Sequence, residues 1–196
     1  MTFTLILSMI SLSFVMAISP GPVNMIIISS SINNGFKRTF AFVSGATIGF
    51  TLLLLFIALG FITVLIEYPL FLKILSILGT LFIIYMGYKI ATAPTSLEIK
   101  EDDKIILKFY QGFLLQWLNP KAWIASISGI SIYSSSKEIL FTFIFIYFIV
   151  CYLSLSFWAI IGKNLQILLN THKKLKIFNL FMGITLIVTA LYLLLL

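Results

Sequence analysis

The 196 residues are 61% hydrophobic and only 10% charged, with a mean hydropathy of +1.15. A soluble domain usually carries about a quarter charged residues, so the composition excludes one and points to an all-α polytopic membrane protein. The formal charge of +7 is spread over short gaps between apolar runs and forms no extended patch, which argues for membrane topology and against nucleic acid as a partner.

A membrane-spanning helix needs about 20 apolar residues, and on that measure the chain divides into six passes. The first runs from Phe3 to Ile32 and is broken at Ser19-Pro20-Gly21-Pro22-Val23-Asn24. Leu5 to Met16 with Ala17-Ile18-Ser19 has the look of a cleavable signal peptide. No Lys or Arg precedes it, however, and a second apolar half-run follows, so retention is expected. Pro20 and Pro22 have no N–H, which deprives the carbonyls of Met16 and Ile18 of their helical donors. In lipid each unpaired group costs several kcal/mol, so such a break is tolerated only where neighbouring helices, water or a ligand satisfy it.

Asn33-Asn34-Gly35 supplies helix-stop chemistry, and Lys37 and Arg38 follow. The second pass covers about Thr39 to Ile66, Tyr68-Pro69 makes a tight return, and the third pass runs from Leu70 to Ala93, before Pro94. Thr95 to Lys108 is hydrophilic, mixing Glu98, Glu101, Asp102 and Asp103 with Lys100, Lys104 and Lys108. The fourth pass, Phe109 to Tyr133, is broken again at Asn119-Pro120-Lys121. Ser134 to Glu138 is a turn, Ile139 to Ile161 the fifth pass, Lys163 to Lys176 a basic connector, and Ile177 to Leu196 the sixth pass.

The first, third and fifth connectors hold most of the Lys and Arg, which puts them in the cytoplasm and both termini outside it. Tyr68, Tyr88, Tyr110 and Tyr133 fall near helix ends, where interfacial aromatics concentrate. Three passes, a connector and three more passes imply two inverted repeats, residues 1–93 and 109–196, joined by residues 94–108. The first helix of each repeat is broken. Matching interruptions in two halves are the sequence pointer to a transporter's binding site. A weaker echo pairs Gly79 and Tyr88 with Gly183 and Tyr192.

Lys121 is the one ionisable residue placed deep in a span. It either faces a polar cavity or an anionic partner, or snorkels to the cytoplasmic interface from a pass that starts later. No Asp or Glu lies within the spans, since Glu67 and Glu138 sit at helix ends on the other side, so an internal Lys121 would find its counter-charge in a ligand carboxylate. A half-helix starting at Pro20, with Ser19 as its N-cap, would offer the N–H groups of Gly21, Val23 and Asn24 to the same group. The freed carbonyls of Met16, Ile18 and Gln116, with the Asn24 and Asn119 amides, could accept from an ammonium group. Together these describe a site for a zwitterion, of which an amino acid is the smallest common case; the plainer alternative is a pair of packing kinks.

Gly45-Ala46-Thr47-Ile48-Gly49 is a GxxxG step favouring close helix packing, and it leaves a homodimer through that face open. Trp117 and Trp123 flank the second break as pathway or packing residues, and Gly79 in the third pass is read as a packing or pathway residue too. Cys151, alone in an apolar run, excludes an intrachain disulfide and a cysteine zinc cluster, and is read as packing. His172, among lysines, is read as solvated. Intramembrane proteases need buried carboxylates or a membrane histidine, which are absent, and a Ser-Lys pair of Lys121 with Ser126 or Ser128 lacks an oxyanion site. Nothing here implies an enzyme, a metal or a cofactor.

Several stretches resemble a known family. SPGPVNM at residues 19–25, SGATIGF at 44–50, GTLFIIYMGYKI at 79–90 and GFLLQWLNPKAW at 112–123 follow in order the signatures of the LysE/RhtB family of amino-acid exporters. Lys89 to Ser96 most resembles its cysteine and O-acetylserine branch, whereas Pro120 follows the general family pattern. The resemblance implies a six-span bacterial inner-membrane protein that moves small amino acids outward, homoserine and threonine types included, in exchange for protons. Either Lys121 titrates or the amino acid's own charge state serves the coupling. The competing classes are a non-transporting membrane scaffold and a transporter of another solute.

Overall fold

The computed structural model describes residues 1–61, 69–93, 106–169 and 171–195. Among these, seven α-helices and no strand are found: α1 Phe3–Ile18, α2 Pro22–Phe56, α3 Pro69–Ala91, α4 Phe109–Trp117, α5 Pro120–Tyr133, α6 Lys137–Leu168 and α7 His172–Leu195, with a π-helical segment Ile57–Phe61 extending α2. The expected return at Tyr68, Glu67, Pro94 and the charged stretch 95–105 lie outside the described residues.

Three stretches, Pro22–Gly60, Lys137–Leu165 and His172–Tyr192, are long and apolar enough to cross a membrane, and Phe3–Ile18 and Ile77–Ala91 are shorter apolar helices. The first of the three is not straight. Gly35 has φ +78°, a left-handed conformation that costs a Cβ-bearing residue heavily and glycine nothing. The hydroxyls of Ser30 and Thr39 lie 3.0 Å apart across it, whereas nine residues of straight helix would separate them by about 13 Å. The chain therefore folds back at Gly35, and α2 is a hairpin of two arms.

These arms form the centre of the bundle, packed on α6 and α4, while α3 pairs with α7 and α1 lies along α6. Phe42, Ile26, Leu53, Leu115, Phe143 and Leu186 are fully buried. The opposite faces are apolar and exposed, Phe145 at 64%, Leu153 at 67% and Phe181 at 65%, as suits helices whose outer solvent is lipid. Lipid removes most of the hydrophobic drive between helices, so close backbone approach and interhelical hydrogen bonds decide the packing. A Cβ on Gly45 would overlap the carbonyl oxygen of Phe109, and one on Gly112 would overlap that of Phe42. The same chain's α4 thus covers the GxxxG face, so a homodimer cannot use it. Gly79 stands against the Leu118 carbonyl and Gly183 against Gly87.

Two other expectations change. The basic stretch from Lys163 is mostly helical, because α6 continues to Leu168 and α7 begins at His172; lysine favours helix, and the helices extend beyond their apolar segments. Tyr133 is only 4% exposed, its hydroxyl donating to Ser8 Oγ at 3.0 Å, rather than lying free at an interface.

Asn33 and Asn179 join α2 to α7 through reciprocal amide bonds of 3.0 and 3.2 Å. Asn179→Leu leaves Asn33 Oδ1 without its donor, while Asn33 Nδ2 keeps the Ser29 carbonyl at 2.7 Å, and is expected to cost about 1 to 3 kcal/mol, read as reversible unfolding in mixed micelles. The Asn33→Leu/Asn179→Leu double variant should cost less than either single change, because no unpaired amide remains; additive losses would contradict this pairing.

Candidate functional site

The two proline breaks, about a hundred residues apart in sequence, meet in the bundle. Lys121 is the second residue of α5; its N–H is capped by Asn119 Oδ1 at 3.1 Å. Its side chain turns inward and reaches the first break. There Nζ donates to the carbonyl oxygen of Ser19 at 2.6 Å and stands 3.5 Å from that of Pro20. Gly21 makes room for it, since a Cβ there would be 3.2 Å from both Cδ and Nζ of Lys121. The ammonium thus lies against the chain's own carbonyls, inside the bundle and not turned outward along its own helix.

The first break differs in detail from its expected form. α2 begins at Pro22 with Gly21 as an N-cap that offers no side chain, and Ser19 is the C-cap of α1. Two prolines within three residues leave too little chain for Ser19 to serve both helices. The carbonyls expected to wait for a ligand are also occupied. Ser19 Oγ donates to the Met16 carbonyl at 3.1 Å, Trp158 Nε1 to that of Ile18 at 3.1 Å, and the Asn119 N–H to that of Gln116 at 3.3 Å. Burial makes an unfilled carbonyl costly enough that nearby donors are recruited. Asn24 plays the same part: its Nδ2 donates to the carbonyls of Ala17 at 3.1 Å and Ser19 at 2.9 Å.

A cavity of about 40 Å³ opens where the breaks converge, room for a few waters. Its polar lining is Asn24, Gln116, Asn119 and Lys121, with Gly21 at the head of α2; Phe50, Tyr147, Cys151 and Leu155 supply a mostly apolar lining. The first possible i−4 bond of α2 is that of Met25 N–H to Gly21 O, at 3.0 Å. The N–H groups of Val23 and Asn24 precede it and point out of the helix start, adding partial positive charge near the Lys121 ammonium. One end of the cavity is thus positive, its flanks carry amides, and the rest suits a short apolar side chain.

Sequence reasoning singled out Ser19, Pro20, Gly21, Pro22, Asn24, Gln116, Asn119, Pro120 and Lys121, and they gather at or beside this convergence. Gly45, Gly49 and Gly79 instead contact α4 or its end, at Phe109, Phe113 and Leu118. Trp117 and Trp123 form an edge-to-face pair at 6.3 Å, and Trp123 Nε1 donates to the Trp117 carbonyl at 2.7 Å. Missed altogether was the contribution of α6. Tyr147, Cys151 and Leu155 recur every four residues, one face of a helix, but apolar residues at that spacing look the same whether they face a core or a cavity.

A family model described as LysE type translocator matches residues 14–196. The chain is 31% identical over 134 residues to a protein named cysteine/O-acetylserine efflux protein in Escherichia coli (strain K12), and equally to one of that name in Shigella sonnei (strain Ss046); each match covers 67% of this chain. It spans 66% of the length of each, a little under two thirds. No solved structure matches. With its matched residues running from the first helix to the last, the chain belongs to the LysE type translocator family.

Proposed function

We propose that this chain is not an enzyme but a secondary exporter of small neutral amino acids or their derivatives, which it binds at the convergence of the two broken helices. The observation that carries this reading is the Lys121 ammonium lying beside the open N-terminus of α2 in a cavity with one apolar wall. A substrate carboxylate takes the place of the Ser19 and Pro20 carbonyls on Lys121 and accepts from the Val23 and Asn24 N–H groups. The side-chain oxygens of Asn24, Gln116 and Asn119 receive the substrate ammonium. Relatives named for cysteine and O-acetylserine efflux support a short side chain against Phe50 and Cys151.

The protein crosses a bacterial inner membrane six times, as two inverted repeats of residues 1–93 and 109–196, with both termini outside the cytoplasm. The fold-back at Gly35 supports the first two crossings. The last helices of the two halves, α3 and α7, meet through glycines that would each strike the other's carbonyl, Gly87 at 2.9 Å and Gly183 at 2.5 Å; such reciprocity is what a two-fold axis between the halves produces. The halves rock about the shared cavity, and protons drive the cycle. In proteoliposomes, a panel of labelled amino acids should show flux for small neutral members, increased several-fold by an imposed pH gradient. Absence of flux across the panel would overturn transport, and flux indifferent to the gradient would overturn proton coupling.

A further inference from the structure

Helical serines and threonines in this chain usually return their hydroxyl to a carbonyl one turn back, as Ser8 does to Leu5, Thr51 to Thr47, Thr142 to Glu138 and Thr185 to Phe181. Four buried hydroxyls do not, that of Thr47 on α2 and those of three serines. Ser13 on α1, Ser126 on α5 and Ser154 on α6 are 0, 0 and 3% exposed, and the Oγ atom of each has no hydrogen-bond partner among the described residues. An orphan hydroxyl costs about 1 to 3 kcal/mol in a dry interior, and the i−4 carbonyl offers the nearest relief.

The three lie at one depth. α1 and α5 are antiparallel, joined at one end by Lys121 to Ser19 and at the other by Tyr133 to Ser8. Ser13 and Ser126 fall between these contacts, each about 8 Å along its helix from the Lys121 end. α6 starts where α5 finishes, after the turn at 134–136, and so runs parallel to α1. Trp158 of α6 bonds the Ile18 carbonyl, which puts Ser154, one turn earlier, level with Ser13. Each serine is one helical turn from a residue of the cavity wall, Ser13 from Ala17, Ser126 from Ala122 and Ser154 from Cys151, and so shares its face.

We infer that Ser13, Ser126 and Ser154 form a hydrated polar seam between α1, α5 and α6, a second binding site that receives water and the solute's hydrogen-bonding groups between the cavity and the Ser8–Tyr133 end. A hydroxyl both donates and accepts and carries no charge, so it can exchange partners with a passing zwitterion without trapping it. The seam is closed at its far end by the Tyr133–Ser8 bond and by Phe143, whose ring tip would lie 2.5 Å from a Cβ on Gly129. The inference rests on the transport reading for its role, though not for its hydration.

Two measurements on the full chain in liposomes test it. Single cysteines at Ser13, Ser126 and Ser154, in a Cys151→Ser chain, should react with the water-soluble ethylammonium methanethiosulfonate at least ten times faster than a cysteine at Leu186, which is equally buried on α7. Rates no faster than that control would overturn the seam, whether or not the protein transports. The triple Ser→Ala variant should lose at least tenfold in flux while its affinity for the substrate changes less than twofold. Unchanged flux would overturn the role in passage, and a parallel loss of affinity would overturn it in favour of packing. A parent chain that moves no amino acid defeats the transport reading instead, and the labelling rates still decide on hydration.

Discussion

Lys121→Ala is expected to lower amino-acid flux by about 10- to 100-fold. A hydrogen bond to a charged group contributes about 1.5 to 3 kcal/mol, and each 1.4 kcal/mol is a factor of ten. The variant loses the ammonium that the substrate carboxylate would meet; it also removes the Lys121 donor from the carbonyls of Ser19 and Pro20, of which Ser19 keeps the Asn24 amide. These two effects can be separated. A substrate analogue whose carboxylate is replaced by a neutral amide has no charge for Lys121 to pair with, so its binding should differ little between parent and variant. The parent amino acid should bind at least tenfold more weakly to Lys121→Ala. Flux retained in the variant, or an equal loss of affinity for both compounds, would overturn the carboxylate role and leave Lys121 as a clamp between the two breaks.

Gly45→Ala should be among the most damaging single methyl groups in the described residues, alongside Gly79→Ala, whose Cβ would overlap the Leu118 carbonyl oxygen as closely. The Cβ at Gly45 would overlap the Phe109 carbonyl oxygen, and the neighbouring atom is backbone, which cannot rotate away. Overpacking of this kind costs about 1 to 3 kcal/mol or more, and here relief requires α4 to shift off α2. That shift moves Gln116, Asn119 and Lys121 together, because α4 leads directly into the second break. Both thermal stability in detergent and flux are therefore expected to fall. Gly112→Ala meets the Phe42 carbonyl at the same crossing, so once either methyl has separated the helices the second should cost little more. Additive losses in the Gly45→Ala/Gly112→Ala variant would show that the two methyls strain separate contacts, and a Gly45→Ala protein as stable and active as its parent would show that the crossing can loosen without moving the site.

Much of this fold is legible in single short stretches. Pro20, Pro22 and Pro120 lack the N–H that a continuous helix requires, and Gly35 can take a backbone angle that other residues resist. Those properties belong to the residues themselves, so both breaks and the turn are readable without knowing what surrounds them. Composition likewise identifies helices whose outer faces meet lipid, since no soluble chain so poor in charge could keep them dispersed. A proline-broken helix also opens the chain and recurs between Phe109 and Tyr133.

Partnership was not legible. The same proline chemistry that frees the carbonyls of Met16 and Ile18 says nothing about which group fills them, and the answers, Ser19 and Trp158, come from one turn away and from a helix 140 positions later. Cys151 and Leu155 look like packing in sequence because an apolar side chain carries no mark of whether its neighbour is a side chain or a cavity. Lys121 showed by itself that it needed a partner, whereas only the crossing of α2 and α4 brought it to Ser19. Local backbone chemistry acts through adjacent atoms and so is written along the chain; the occupant of each hydrogen bond and the wall of the cavity depend on which distant helices approach, and packing at Gly45, Gly112, Gly87 and Gly183 decides that.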